Sequence, residues 1–283
     1  MGRMIVKFNE GGAAIRPRPS EPAQQKRPLR QGSRKAGRYL PSHKILIVLP
    51  FWEGDRGPAN VLARFLADLE PTFSDSADFL FVARFDTESD EPTVEAVSRK
   101  FNVYTIISQK RMTGWPMGCN GTFFGSMEWI YHSIASGKIP GYKALFNMGA
   151  DTCSLEKGWI EHLSHAWDLA NSTQKIVMAG HVLEAGNRLH INGDAALLSG
   201  DLVFLKWLAT SAANMNVKAG WDWYLAPQFE RKGWAHFQFI KSIWNRTNEF
   251  TETDWMNETA IGTALIHGQK GFSLLDMARQ KLL

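Results

Sequence analysis

Cysteine is almost missing from this chain. Cys119 and Cys153 are the only two in 283 residues, too few for a disulfide framework, and no Cys/His spacing resembles a structural zinc site. Long apolar runs are missing too. The longest, Ile45 to Trp52, is strand-sized and far below the ~18–20 residues that span a bilayer. The N-terminus has no continuous apolar stretch of the signal-peptide kind, so no secretory segment is expected and a reducing cytoplasm is the expected compartment. There is no internal repeat. What remains is 44% hydrophobic, 12% aromatic and 21% charged residues, a globular composition that excludes a collagen-like or wholly disordered chain.

Charge is spread unevenly. Met1–His43 carries 10 Lys and Arg against Glu10 and Glu21, a net of +8; the whole chain is +4, which leaves −4 for residues 44–283. The basic segment is rich in Pro, Gly, Gln and Arg and nearly free of large apolar side chains. It cannot bury enough surface to offset its ordering entropy, so residues 1–38 are expected to form a disordered basic tail. Such a tail can solubilise the protein or act as an electrostatic arm for a polyanion such as nucleic acid. Residues 39–283 are expected to form one large α/β domain.

Within that domain, Lys44–Trp52 reads as a central parallel strand buried on both faces. Pro58 reads as a helix N1 residue, and Val61, Leu62, Phe65, Leu66 and Leu69 recur at helical spacing. Ala77–Phe85, Asn102–Ser108, Tyr142–Asp151 and Lys175–Val182 read as further strands. Helices are expected over Val94–Phe101, Phe123–Ile134 and Gly158–Leu169. Thr113–Gly121 and Leu189–Leu197 read as loops. Helices follow at Asp201–Thr210 and Trp221–Arg231, then a strand-like His236–Trp244. This alternation predicts a Rossmann-like, mostly parallel sheet flanked by helices. Ligands of such sheets bind beyond the carboxyl ends of the strands, where Glu53, Asp55, Asp86 and Asp151 form an acidic edge.

Asp151, after Phe-Asn-Met-Gly-Ala, could hold a hard divalent cation bridging a diphosphate; a helix-capping role accounts for it equally well. Near the C-terminus, His267-Gly268-Gln269-Lys270 offers a metal-ligating ring, a close backbone approach and a phosphate-pairing cation. Taken together, Met148–Ile160, Leu189–Leu197, Gly220–Pro227 and Leu265–Gly271 resemble, in order and spacing, the motifs of glycosyltransferases of the GT-A fold. The resemblance spans most of residues 44–271 and is nearest in flavour to viral and bacteriophage members, for which the compartment would be the host cytoplasm.

The resemblance implies a GT-A-like α/β domain with a C-terminal acceptor-binding portion. It implies transfer of a sugar from a nucleoside-diphosphate sugar, with a UDP-sugar expected, to an acceptor hydroxyl. Asp151 and His267 would bind Mn²⁺ or Mg²⁺, and Lys270 the donor. Pro50, Phe51, Glu53 and Asp86 would meet the nucleoside, with Phe51 or Trp52 able to stack on a base, although core packing suits either aromatic. Arg111, Trp115 and Asn120 would close over the sugar diphosphate, unless their loop is purely structural. Asp222 matches the position of the base that deprotonates the acceptor, with Asp194 its rival; an N-terminal helix acid explains Asp222 as well.

One departure stands out. The second acid of the family's Asp-x-Asp motif is Cys153 here, a poor ligand for Mg²⁺ or Mn²⁺. The basic tail points to hydroxymethylated DNA as the acceptor. A glycan or lipid-linked acceptor is the alternative, and a sugar nucleotidyltransferase a more distant one, because the loop after the first strand has two acids and is a poor phosphate cradle.

Overall fold

The computed structural model describes residues 42–211 and 218–283. The basic tail lies outside the described residues. The chain runs β1 (Ile45–Phe51), α1 (Arg56–Leu69), β2 (Ala77–Ala83), α2 (Glu91–Ser98), β3 (Asn102–Ile107), α3 (Met117–Ala135), β4 (Ala144–Met148), β5 (Thr152–Ser154) and α4 (Trp159–Thr173). It continues as β6 (Met178–Ala185), β7 (Arg188–Ser199), α5 (Leu202–Ser211), α6 (Trp221–Lys232), β8 (Trp234–His236), β9 (Ile240–Arg246), α7 (Glu252–Ala260), β10 (Leu265–Gln269) and α8 (Ser273–Leu282).

Seven strands form the main sheet in the order β3-β2-β1-β4-β7-β6-β8, and three form a small one, β5-β10-β9. β1 pairs in parallel with β2 and β4 and β2 with β3, while β7 is antiparallel to both β4 and β6. Alternation along β1 explains its continuous hydrophobicity. Ile45, Ile47, Leu49 and Phe51 face one core with α1, α2, α4 and α8; Leu46 and Val48 face another with α3, α5 and α6. This is the mostly parallel, helix-flanked sheet that the alternation of strands and helices predicts. Among the described residues no helix is long and apolar enough to cross a membrane.

Two expected loops are regular structure. Helix α3 begins at Met117, inside the segment whose glycines suggest a loop. Those glycines serve close packing instead: a Cβ at Gly118 would lie 3.3 Å from the Thr113 carbonyl carbon, and one at Gly121 would lie 3.1 Å from Met112 Cβ. The second, Leu189–Leu197, belongs to β7, whose hairpin with β6 turns at Gly186 (φ 66°) and not at Asn192-Gly193.

Candidate active site

A cleft of about 1450 Å³ opens beyond the carboxyl ends of β1 and β4, where the direction of pairing reverses at β7. Its walls include Asp55, Asp151, Asp194, Asp222, His267 and Lys270. Thus the sequence-separated acids and the late His and Lys meet in one place.

Asp151 sits in the turn between β4 and β5. Its Oδ1 lies 3.1 Å from His267 Nε2, and its Oδ2 pairs with Lys270 Nζ. β10 brings the pair together by lying antiparallel to β5, with His267 opposite Thr152. Burial opposes ionisation of Asp151, but hydrogen bonds and charge from His267 and Lys270 hold its carboxyl well below the usual range. For His267 burial disfavours the cation, and Asp151 more than offsets this, raising the ring's pKa.

Asp194 lies across from them. A Cβ at Gly149 would come within 3.0 Å of both Asp151 Oδ1 and Asp194 Cβ and 3.4 Å of His267 Cδ2. The missing side chain of Gly149 therefore leaves a cradle bounded by two carboxylates and an imidazole. Such a donor set could hold a hard divalent cation, and Asp151 and His267 are the residues placed to ligate one. Cys153 cannot contribute, because it is buried in the apolar core and its thiol pKa is raised by that burial. Among the described residues no three His, Cys, Asp or Glu side chains are grouped to hold a metal unaided, so donor-substrate oxygens would have to complete the shell.

The backbone around Asp194 is pinned on every side. Its N–H donates to Asn192 Oδ1 (3.0 Å), and its carbonyl accepts from Gly149 N (2.7 Å) and Thr152 Oγ1 (3.1 Å). The side chain faces the cleft, and no donor among the described residues engages its carboxylate. Asp194 is exposed to the cleft, but desolvation by the surrounding walls raises its pKa to about 6; His267 opposes the rise, while Asp222 and Asp151 add to it. Asp222 differs. Its Oδ2 accepts from Gly193 N (2.9 Å) and its Oδ1 from Trp223 N (2.8 Å), so both oxygens hold backbone in place.

The residues expected to meet a nucleoside are more mixed. Pro50, Phe51 and Trp115 line the cleft, whereas Glu53, Asp86, Arg111 and Asn120 do not. Phe51 is 3% exposed and packs in the core; Trp52 is 47% exposed, so of the two aromatics it is the one available to stack. Glu53 accepts from Thr87 Oγ1, and both Asp86 oxygens accept from Arg84 at 2.6 Å, which lowers the Asp86 pKa. Asn120 points inward from α3, fully buried, and its Nδ2 donates to Ala219 O, bracing a cleft wall. Sequence reading passed over Arg84, whose guanidinium lies 5.2 Å from the Trp52 ring. It also passed over Asn147, fully buried, which donates to Gly193 O (2.8 Å). An Arg two residues before a strand-end Asp is the only signal that could have marked the first.

No protein-family model matches the chain, and no curated protein does. Solved structures do. An active-site mutant of LgtC superposes with a TM-score of 0.50 at 11% identity, covering 80% of this chain and 87% of that one. The fold is that of the GT-A glycosyltransferases. Other GT-A structures are more distant: mouse xyloside xylosyltransferase 1 (TM-score 0.45, 10% identity, 80% and 97% covered) and a glycosyltransferase involved in glycosylation of the major capsid of PBCV-1 (0.47, 12%, 84% and 98%).

Proposed function

We propose that the protein transfers a sugar from a nucleoside-diphosphate sugar to an acceptor hydroxyl. The observation that carries this reading is the convergence of Asp151, His267, Lys270 and Asp194 on one cleft at the strand ends of a GT-A-type sheet. Trp52 and Arg84 would receive the nucleoside at the β1–β2 side, with Pro50, Phe51 and Trp115 completing that wall. Lys270 would exchange its partner Asp151 for the diphosphate, and Asp151 and His267 would hold a divalent cation whose Lewis acidity stabilises the leaving diphosphate. Asn120 would brace the donor pocket from inside α3, Asp86 would orient Arg84, and Glu53 would hold Thr87.

In the transfer, the acceptor oxygen bonds to the anomeric carbon while that carbon's bond to the diphosphate oxygen breaks. The electron pair leaves on the nucleoside diphosphate. The acceptor proton passes to Asp194 in an inverting reaction or to the departing phosphate oxygen in a retaining one. In either, the Asp194 carboxylate faces the positive charge that develops at the anomeric carbon. Asp222 positions the Asn192–Asp194 segment through Gly193.

Thermal shift with UDP-, GDP- and CDP-sugars, with and without Mn²⁺, tests the reading. A rise in Tm with at least one donor, larger with Mn²⁺, is expected, with a UDP-sugar the first choice; no shift with any would overturn it.

A DNA acceptor is favoured by one observation, the +8 carried by residues 1–43. If that tail neutralises about 4–6 phosphates, log K against log salt should slope at about −4 to −5, and deleting residues 1–37 should flatten the slope. An unchanged slope would remove the case for DNA.

A further inference from the structure

β9 does not run straight past β10. Ser242 pairs with His267 and Arg246 with Gln269, so Ile243, Trp244 and Asn245 stand opposite the single residue Gly268. Bulges of this kind re-aim side chains beside functional sites. Trp244 (φ 48°) and Asn245 (φ 53°) are the only non-glycine residues at positive φ among those described. That region is disfavoured for a bulky side chain. Gly268 (φ 100°) makes the arrangement feasible, since a Cβ there would lie 3.1 Å from the backbone nitrogens of both Trp244 and Asn245.

Among the described residues no side-chain hydrogen bond or ring contact of Trp244 or Asn245 accounts for this conformation. Trp244 is 59% exposed, and no aromatic ring of the described residues stacks on it. Both side chains line the cleft. Strain held at a cleft wall without a packing return marks a functional position.

We infer that Trp244 and Asn245 form the acceptor subsite and that the acceptor is a neutral carbohydrate; this rests on the glycosyltransferase reading above. An exposed indole gives an apolar platform for the C–H face of a sugar ring, and the adjacent amide supplies a donor and an acceptor for its hydroxyls. The location agrees. Trp244 flanks β10 beside His267, at the phosphate–sugar end, while the proposed nucleoside wall of Trp52 and Arg84 belongs to β1 and β2, on the far side of β4. The charge agrees as well. Asp55, Asp151, Asp194 and Asp222 line this cleft against the cations Arg84, Lys218 and Lys270; Arg84 is paired with Asp86 and Lys270 with Asp151, and residues 44–283 are net −4, so the cleft offers no surplus of positive charge to a polyanion.

Ligand-observed NMR of the full chain with maltose, cellobiose, lactose and chitobiose tests the subsite without any donor. The wild type is expected to bind at least one of the four. Trp244→Gly should weaken that binding about 10-fold or more and Asn245→Gly several-fold. Both variants keep a conformation that glycine prefers, so Tm should rise by about 2–4 °C while binding falls. Four results would overturn the inference: no binding of any saccharide by the wild type, undiminished binding by Trp244→Gly, a fall in Tm of both variants, or Trp244-dependent binding of a hydroxymethylated DNA duplex in place of the saccharides. Nucleotide-sugar thermal shifts of the wild type report separately on the glycosyltransferase reading, so saccharide binding without donor binding would sink that reading and not the subsite.

Discussion

The backbone N–H of Gly193 donates to Asp222 Oδ2 at 2.9 Å. This bond commits Asp222, the family-like acid at the start of α6, to holding β7, and it leaves the next residue, Asp194, to present an unengaged carboxylate to the cleft.

The two acids should therefore respond differently to mutation. Asp194→Asn is expected to lower kcat by roughly 10²–10⁴-fold with Tm retained. Asp222→Asn should lower Tm as well as kcat, because it weakens the anchor of Gly193 and leaves a backbone donor poorly paired. Steady-state kinetics with thermal unfolding of both variants checks this; a fully active Asp194→Asn enzyme would discard the assignment.

Asp151→Asn should remove most turnover, roughly 10²-fold or more, and abolish any Mn²⁺-dependent increase in donor affinity. Titration calorimetry of a nucleotide sugar in Mn²⁺ and in EDTA gives the comparison. If the wild type binds donor equally well in both, Asp151 and His267 have no metal to hold, and the cations of Lys270 and His267 carry the diphosphate alone.

Gly193→Ala is expected to destabilise the fold by about 1–3 kcal/mol. Its Cβ would fall 2.3 Å from Cζ2 of Trp221, and that ring cannot retreat because it stacks on Phe123 at 3.5 Å. Urea unfolding of the variant measures the loss, and an unchanged midpoint would show that the Trp221 stack yields.

Stability should fall as pH rises from about 4.5 to about 7 through Glu70. Burial at the end of α1 raises its pKa to about 7, Glu161 adds to the rise and Lys100 opposes it. The folded state then binds the proton that the unfolded chain has already released, so stability is full below the unfolded pKa and lost through the folded one, by up to about 3 kcal/mol. Glu70→Gln should flatten that part of the profile. Equal pH dependence of Tm in wild type and variant between pH 5 and 8 would exclude Glu70 as its source.

Much of the α/β order was legible because burial on both faces forces continuous apolar runs, as in Ile45–Phe51, and helices carry a different period. Glycine misled the reading in two places. Gly118 and Gly121 resemble loop residues but let α3 pack against Thr113 and Met112, and Gly193 resembles a turn but makes room for Trp221. The reason for each glycine is a packed neighbour, and for Gly193 that neighbour, Trp221, is distant in sequence. Asn120 was drawn into the site by the first of these and is a buried brace.

The sequence by itself determined most of the strands and helices between Ile45 and Ala185, where the acids fall at strand ends, and that charge is divided between a basic tail and an acidic body. These follow from local periodicity and composition. Only the tertiary structure decided that Asp151 meets His267 and Lys270 and that Asp222 is bound to backbone while Asp194 is not. It also left Trp52 exposed for stacking while burying Phe51, and it alone revealed the left-handed bulge at Trp244 and Asn245 in the cleft wall. Each of these depends on strand register and on contacts between residues tens to more than a hundred positions apart, and no local pattern encodes the register that β10 adopts against β5 and β9.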